Sequence, residues 1–488
     1  MQLKDQSLIQ PDSAFINGKW YRPESGIYFD VINPATSLPV ARLPDLDEGQ
    51  CLEAVHAAVN AAAQLRNTPG KQRAEILRRW CNLMHEASDD LAAIITAENG
   101  KPLAEAQGEV AYASSFLEWF SGEASRIDGA VYQASDPANR IVTIKQPVGI
   151  VGIITPWNFP AAMITRKVGA AIAAGCPCII KPAAETPLTA LAIAHLAHQA
   201  GLIAGALNIV TTLVHTQIVG KMLTQHPSIR KFSFTGSTAV GKLLAAQCMT
   251  TMKKISLELG GNAPFIVFND ADIKKAVDGI ISCKFRLSGQ TCVCANRLYV
   301  QSGIHDQIVE ALVIRINQFR LGPGDQPETT LGPLISKKAT EKVAAHTEDA
   351  VKRGGRVVTG GKVASELGEA FFQPTVITNV SPEALCAREE TFGPFLPIFT
   401  FETEEEVVQL ANSTDVGLAG YFFTENASRA WRVAESLEVG MVGVNTGLIS
   451  DVASPFGGIK ESGQGREGSK IGIDEYLEVK SMTFAINN

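Results

Sequence analysis

A cysteine and a glutamate, each set in a glycine-bounded stretch, are the groups of this chain best suited to covalent chemistry. Cys292 lies in Gly289-Gln290-Thr291-Cys292-Val293-Cys294, and Glu258 lies in Leu257-Glu258-Leu259-Gly260-Gly261-Asn262. A thiolate adds to an aldehyde carbon to give a tetrahedral adduct from which hydride can depart. Its reactivity requires a lowered pKa, expected from a helix N-terminus or loop amides. A carboxylate can take a proton from the water that hydrolyses the resulting thioester. Glu258 closes the apolar run Ile255-Ser256-Leu257, where a carboxylate is uncommon. A third segment, Thr155-Pro156-Trp157-Asn158-Phe159-Pro160, offers the Asn158 amide. Together with the Cys292 backbone N–H, that amide could hold an oxyanion. The bland alternatives are a buried structural thiol, a solvated strand-end carboxylate and an ordinary turn asparagine.

These three motifs, in this order, resemble the aldehyde dehydrogenase superfamily, and the resemblance extends from Ile16-Asn17-Gly18 to Tyr476. It implies that Cys292 is the nucleophile, Glu258 the general base and Asn158 the oxyanion donor. It also implies three units. A dinucleotide-binding domain is expected over 1–129 and 147–257, and a catalytic domain over 258–467. A β arm for oligomerisation is expected over 130–146 and 468–488, in a homodimer or homotetramer.

Two glycine motifs invite misreading as the cofactor site. Gly463-Gln464-Gly465-Arg466-Glu467-Gly468 matches G-x-G-x-x-G but has no βαβ unit to open. The run from Gly236 to Lys242 nearly matches a P-loop, but Leu243 stands where a magnesium-binding hydroxyl is needed. The second loop still follows a strand and opens a helix, so its amides can meet a pyrophosphate. The resemblance assigns that role to Gly236, Ser237 and Gly241. It places Thr155, Pro156, Trp157 and Leu259 near the nicotinamide, and Lys181, Pro182, Ala183 and Ala184 along the adenosine ribose. Glu390 and Phe392 would hold the nicotinamide ribose and ring. NAD-preferring relatives often carry a glutamate three residues after the lysine. Ala184 removes that repulsion toward a 2′-phosphate, and Glu185 restores part of it. The expected cofactor is NADP or NAD, with NADP slightly favoured.

The expected substrate is a small anionic aldehyde. Arg166, Arg286 and Ser450 resemble the two arginines and the serine that hold the distal carboxylate in succinate-semialdehyde dehydrogenases. A guanidinium suits this task because its planar fork pairs a carboxylate bidentately. Glutarate semialdehyde, one methylene longer, stays open, as does a non-catalytic protein that kept the fold. Cys294 resembles the second cysteine that can pair with Cys292 as a redox switch. Cys176-x-Cys178 and Cys292-x-Cys294 are spaced too closely for a metal knuckle, so no metal is expected.

The elements that must position these groups read as α/β. Strands at Gly149–Thr155, Pro177–Lys181, Asn208–Thr211 and Lys231–Thr235 alternate with helices at Ala161–Ala174, Leu188–Ala200, Ile218–Gln225 and Thr238–Cys248. That alternation predicts a doubly wound, Rossmann-like parallel sheet. It resumes from Pro264 through Glu402 as a second α/β domain. Helical spacing covers Glu48–Leu65, Lys71–Asn99 and Pro102–Ile127. At 488 residues, more than one core is expected. A net charge of −7 and the lack of a basic cluster argue against nucleic acid or an anionic membrane as partner. Nine cysteines, an odd number without framework spacing, fit a reducing, cytoplasmic setting.

Overall fold

The structure is a computed structural model that describes residues 2–486. Residues 487–488 of the expected arm lie outside the described residues. Four strands open the chain: β1 (Ala14–Ile16), β2 (Lys19–Tyr21), β3 (Ile27–Ile32) and β4 (Pro39–Asp45). Four helices follow: α1 (Glu48–Asn67), α2 (Gly70–Glu86), α3 (Ser88–Asn99) and α4 (Leu103–Glu123). The helix expected over Lys71–Asn99 is therefore two, broken at Ala87 (φ −92°, ψ 14°). Ser88-Asp89-Asp90 begins the second, where acidic residues complement the helix dipole. Asp90 is also drawn to the N-terminal segment, accepting the Lys4 and Asp5 amides at 2.8 and 2.9 Å.

After β5 (Ala130–Gln133) and β6 (Asn139–Pro147) comes the alternating unit. It runs β7 (Ile150–Ile154), α5 (Ala162–Ala174), β8 (Cys178–Lys181), α6 (Pro187–Gln199), β9 (Leu207–Ile209), α7 (Thr216–Gln225), β10 (Ile229–Thr235), α8 (Thr238–Met249) and β11 (Lys254–Glu258). Each expected strand and helix of this region is present within a few residues. The strands pair in parallel in the order β9-β8-β7-β10-β11. The order reverses between β7 and β10, which is where doubly wound sheets bind ligands beyond their carboxyl ends.

The second half repeats the plan. Its elements are β12 (Ala263–Val267), α9 (Ile273–Lys284), β13 (Ala295–Gln301), α10 (His305–Ile316), α11 (Lys337–Lys352), β14 (Arg356–Thr359), β15 (Thr375–Thr378), α12 (Leu385–Arg388), β16 (Phe395–Phe401), α13 (Glu404–Asn412), β17 (Val416–Gly417), β18 (Ala419–Phe423), α14 (Ala427–Ser436) and β19 (Met441–Val444). The second sheet is ordered β14-β15-β16-β13-β12-β18-β19, parallel except at its β14 edge. It thus extends past Glu402, the end expected from the alternation. The chain closes with β20 (Ile459–Lys460), β21 (Gly463–Gln464) and β22 (Leu477–Ala485). β22 pairs with β6, and β6 with β5, as the expected arm. β21 pairs with β11, so Gly463–Gln464, expected in the 258–467 unit, sits on the edge of the first sheet.

Apolar alternation puts Trp80 of α2 wholly inside the first core, against α6, where its indole N–H donates to the Ile193 carbonyl at 3.1 Å. Trp80→Ala is expected to cost about 3–5 kcal/mol, read from the denaturant midpoint of the intact chain.

Candidate active site

Residues expected to act together from sequence meet in one cavity of about 620 Å³. Trp157 and Asn158 come from the loop after β7, Gly236 and Ser237 from the loop after β10, and Glu258 from the end of β11. Cys292, Glu390 and Phe392 enter from the other side, on segments that precede β13 and β16. A cavity of this size falls within the range of small-molecule sites, about 300–1,000 Å³.

The cysteine segment is held in an unusual conformation. Leu287 and Ser288 both lie in the left-handed region, with φ 50° and 52°. Each such non-glycine residue costs about 1 kcal/mol or more. At Gly289 (φ 74°) an added Cβ would run into the Gly393 carbonyl, so only glycine fits. Outside contacts hold the turn. Ser288 Oγ donates to the Gly332 carbonyl at 2.7 Å, and Gln290 Oε1 accepts the Ile335 amide at 2.9 Å. Asn158 Nδ2 donates to the Gln290 carbonyl at 3.0 Å, which ties the oxyanion loop to the cysteine loop.

The electrostatics differ from expectation at the nucleophile. No helix begins at Cys292; a turn leads into β13. Burial pushes its thiol up to about 12, with Glu390 adding to the rise and Arg166 opposing it. The expected lowered pKa is therefore not built into the resting site. Glu258 is also raised well above the usual carboxyl range, by burial and then by the charge of Glu467. Neither of its oxygens has a hydrogen-bond partner among the described residues. A buried acceptor left without a partner at the edge of a cavity is placed to take a proton from a bound water.

A nicotinamide dinucleotide fits the remainder of the cavity. α8 begins at Thr238 without a side-chain cap, so its first amides are open to a phosphate. A Cβ at Gly241 would strike the Leu259 side chain, which keeps helix and loop close. Burial lowers the Lys181 ammonium, which donates to the Pro182 carbonyl at 3.1 Å. Trp157 and Phe392 meet edge to face, with centroids 5.6 Å apart. Burial raises Glu390 to about 7. Thr155 closes β7 behind this wall, its amide bonded to the Lys181 carbonyl at 3.3 Å. Ala184 lines a neighbouring cavity of about 300 Å³ with Asp30, Glu185, Ser336, Lys337 and Glu369. There Lys337 is paired with Glu369 at 2.7 Å.

The three expected substrate residues are not all together. Arg286 and Ser450 share a void of about 10 Å³ with Cys283, Val293 and Tyr421. Arg166 lines neither cavity; it is buried, its Nε donating to Glu467 Oε2 at 2.6 Å and its guanidinium 4.0 Å from the Phe456 ring centroid. Lys167 pairs with the other Glu467 oxygen and donates to Ser233 Oγ at 3.0 Å. Burial works against the Arg166 charge, but Glu467 together with Tyr112, Glu258 and Cys292 more than offsets it. Sequence reasoning missed Glu467, although it lies inside the G-x-G-x-x-G run that was set aside. Cys294 is buried away from the cavity, its thiol donating to the Gly289 carbonyl at 3.2 Å with Lys284 Nζ at 3.8 Å.

A thiol and a carboxyl group facing a dinucleotide cleft define a cysteine-dependent dehydrogenase of the two-sheet α/β type. The model described as Aldehyde dehydrogenase family matches residues 20–482, and the chain belongs to that family. The chain is 57% identical over 487 residues to succinate-semialdehyde dehydrogenase [NADP(+)] 1 of Schizosaccharomyces pombe, covering 99% of this chain and 98% of that protein. It is 51% identical to a glutarate-semialdehyde dehydrogenase of Pseudomonas putida, with both chains fully covered. The crystal structure of succinate-semialdehyde dehydrogenase from Burkholderia pseudomallei superposes with a TM-score of 0.98 at 50% identity, again with both chains fully covered.

A thiol acting as nucleophile and a carboxyl group acting as base must both be deprotonated, and burial pushes Cys292 and Glu258 up. The rate kcat/KM is therefore expected to rise with pH and to be rising still at about pH 9, toward the Cys292 value of about 12, as followed by nicotinamide reduction. A flat profile would show that the thiol is ionised by something other than the resting protein.

Proposed function

We propose that this enzyme oxidises succinate semialdehyde to succinate with NADP or NAD. The observation that carries this reading is the placement of Arg286 and Ser450 around one void whose wall includes Val293, next to Cys292. The 57% identity to the Schizosaccharomyces pombe enzyme supports it. A void of about 10 Å³ holds roughly one water, so a carboxylate enters only as the surrounding side chains part. The loop bearing Ser450 includes the exposed Leu448, which leaves it room to move.

The chain's groups then divide the work. Cys292 sulfur bonds to the aldehyde carbon once its proton has left. Asn158 Nδ2 and the Cys292 amide hold the oxygen that becomes negative. Bound in the cleft, the nicotinamide supplies the hydride acceptor. Glu258 takes a proton from water, which displaces the sulfur of the thioester and releases a carboxylate. Arg166, fixed by Glu467, adds positive charge on the side of Cys292. Arg286 and Ser450 hold the distal carboxylate.

The arm is read as the route to a homodimer or homotetramer, because Val131, Tyr132, Val479 and Phe484 are exposed on its strands. The Cys292–Cys294 switch stays part of the proposal. Closing that bond gives two electrons and two protons to an oxidant such as a peroxide, and requires the Thr291–Cys294 turn to open and turn Cys294 from Gly289 toward the cavity.

Purified protein should show a kcat/KM preference of roughly a hundredfold or more for succinate semialdehyde over butanal. Arg286→Ala should remove most of it. Equal rates on the two aldehydes would keep the dehydrogenase and discard the substrate. Glutarate semialdehyde in the same assay decides between the two anionic substrates. Replacing Ala184 with glutamate should shift the NADP-to-NAD ratio of kcat/KM toward NAD by roughly tenfold, an interaction of about 1.4 kcal/mol. An unchanged ratio would show that this position does not face the ribose.

A further inference from the structure

The start of α4 grips both catalytic loops. Lys101, just before the helix, donates to the Asn158 carbonyl at 2.8 Å and pairs with Glu109, and its ammonium lies 4.4 Å from the Phe159 ring centroid. Glu109 in turn accepts the Ala161 and Ala162 amides at 2.8 and 3.3 Å. Those contacts fix the loop that carries Asn158. One helical turn away, Glu105 accepts the Leu287 amide at 2.9 Å. Leu287 directly follows Arg286 and is the first of the two left-handed residues. The Arg286 guanidinium meets the same ring, 5.1 Å from the Phe159 centroid.

We infer that Glu105 is a positioning residue for substrate choice: by holding the Leu287 amide it fixes the backbone from which Arg286 reaches the carboxylate of an anionic aldehyde. The inference rests on the reading of Arg286 as a carboxylate ligand. A left-handed pair relaxes toward ordinary backbone when its anchor is removed, and relaxation at Leu287 swings the residue before it. The aldehyde end of the substrate is held from Asn158 and Cys292, which have separate ties through Lys101, Glu109, Gln290 and Ser288. Loss of Glu105 should therefore show mainly on substrates with a charged tail.

The test compares kcat/KM for succinate semialdehyde and for butanal in wild type, Glu105→Ala, Glu105→Gln, Arg286→Ala and the Glu105→Ala/Arg286→Ala double variant. Glu105→Ala should lower the semialdehyde-to-butanal ratio about tenfold, mostly through KM. Glu105→Gln keeps an acceptor oxygen at the same reach and should restore most of the ratio. In the double variant the two effects should not add, because one acts through the other. If Glu105→Ala fails to fold, Glu105→Asp, one methylene too short, should show the same loss in weaker form. A parallel fall on both aldehydes, or an unchanged ratio while Arg286→Ala loses it, would overturn the positioning role alone. A ratio that survives Arg286→Ala would instead overturn the substrate reading and this inference with it.

Discussion

The site depends on one buried anion set between two buried cations. Glu467 holds Arg166 through one oxygen and Lys167 through the other, with both cations at 1% exposure or less. Removing one member of such a group leaves an uncompensated charge, typically at about 3–5 kcal/mol. Counted formally, two cations against one carboxylate leave one positive charge. That surplus faces Glu258 and Cys292, whose pKa values Arg166 pulls down against burial. The cluster thus makes room for one more negative charge in a place where burial alone would forbid it. Either the base or the thiolate can carry that charge.

The two sheets contribute different things because they present opposite ends. The first sheet offers the carboxyl ends of β7, β10 and β11, where α8 starts and its open amides favour phosphate. The second offers the amino ends of β12, β13 and β16, where the loops with Gly260, Cys292 and Glu390 enter. A dinucleotide is suited to the first kind of end and a reacting side chain to the second. Their meeting also bears on the strain in the cysteine loop: in the ten residues between α9 and β13 it must cross between the sheets while keeping Cys292 at the cavity.

Much of this was legible in the sequence, for local reasons. Alternating β-branched and alanine-rich runs gave the β7–α8 region nearly element by element, because each run is buried on both faces and carries its own period. Cys292, Glu258 and Asn158 were legible because each sits on a short glycine- or proline-marked turn. Long-range pairing was not. Glu467 binds a residue 301 positions away, and nothing in its own neighbourhood marks it except a glycine run that resembles a different site. Those glycines serve β21 instead: at Gly463 (φ 122°) a Cβ would strike the Leu257 carbonyl. The break at Ala87 was hidden because apolar spacing continues smoothly across it, and the contacts that draw α3 aside come from Lys4 and Asp5. The parallel α/β plan common to the two sheets leaves no repeat in the sequence, since such a plan is set by pattern and not by identity.

The least legible quantity was the state of the thiol, and its cause is architectural. A cysteine at a helix N-terminus meets open amides and ionises readily. Cys292 instead sits in a turn before a strand, so no helix N-terminus bears on its thiol, and burial dominates. The resting site therefore pairs a thiol that burial pushes up with a carboxyl group that burial pushes up as well, at a cavity wide enough for a dinucleotide. Such a pair is quiet until charge is rearranged around it. The fixed positive charge that tempers both groups is Arg166, and its place is set by a carboxylate that returns to the first sheet with β21. The charge around a loop that leads into the second sheet is thus set from near the C-terminal end of the chain, through a contact between α5 and the segment that follows β21.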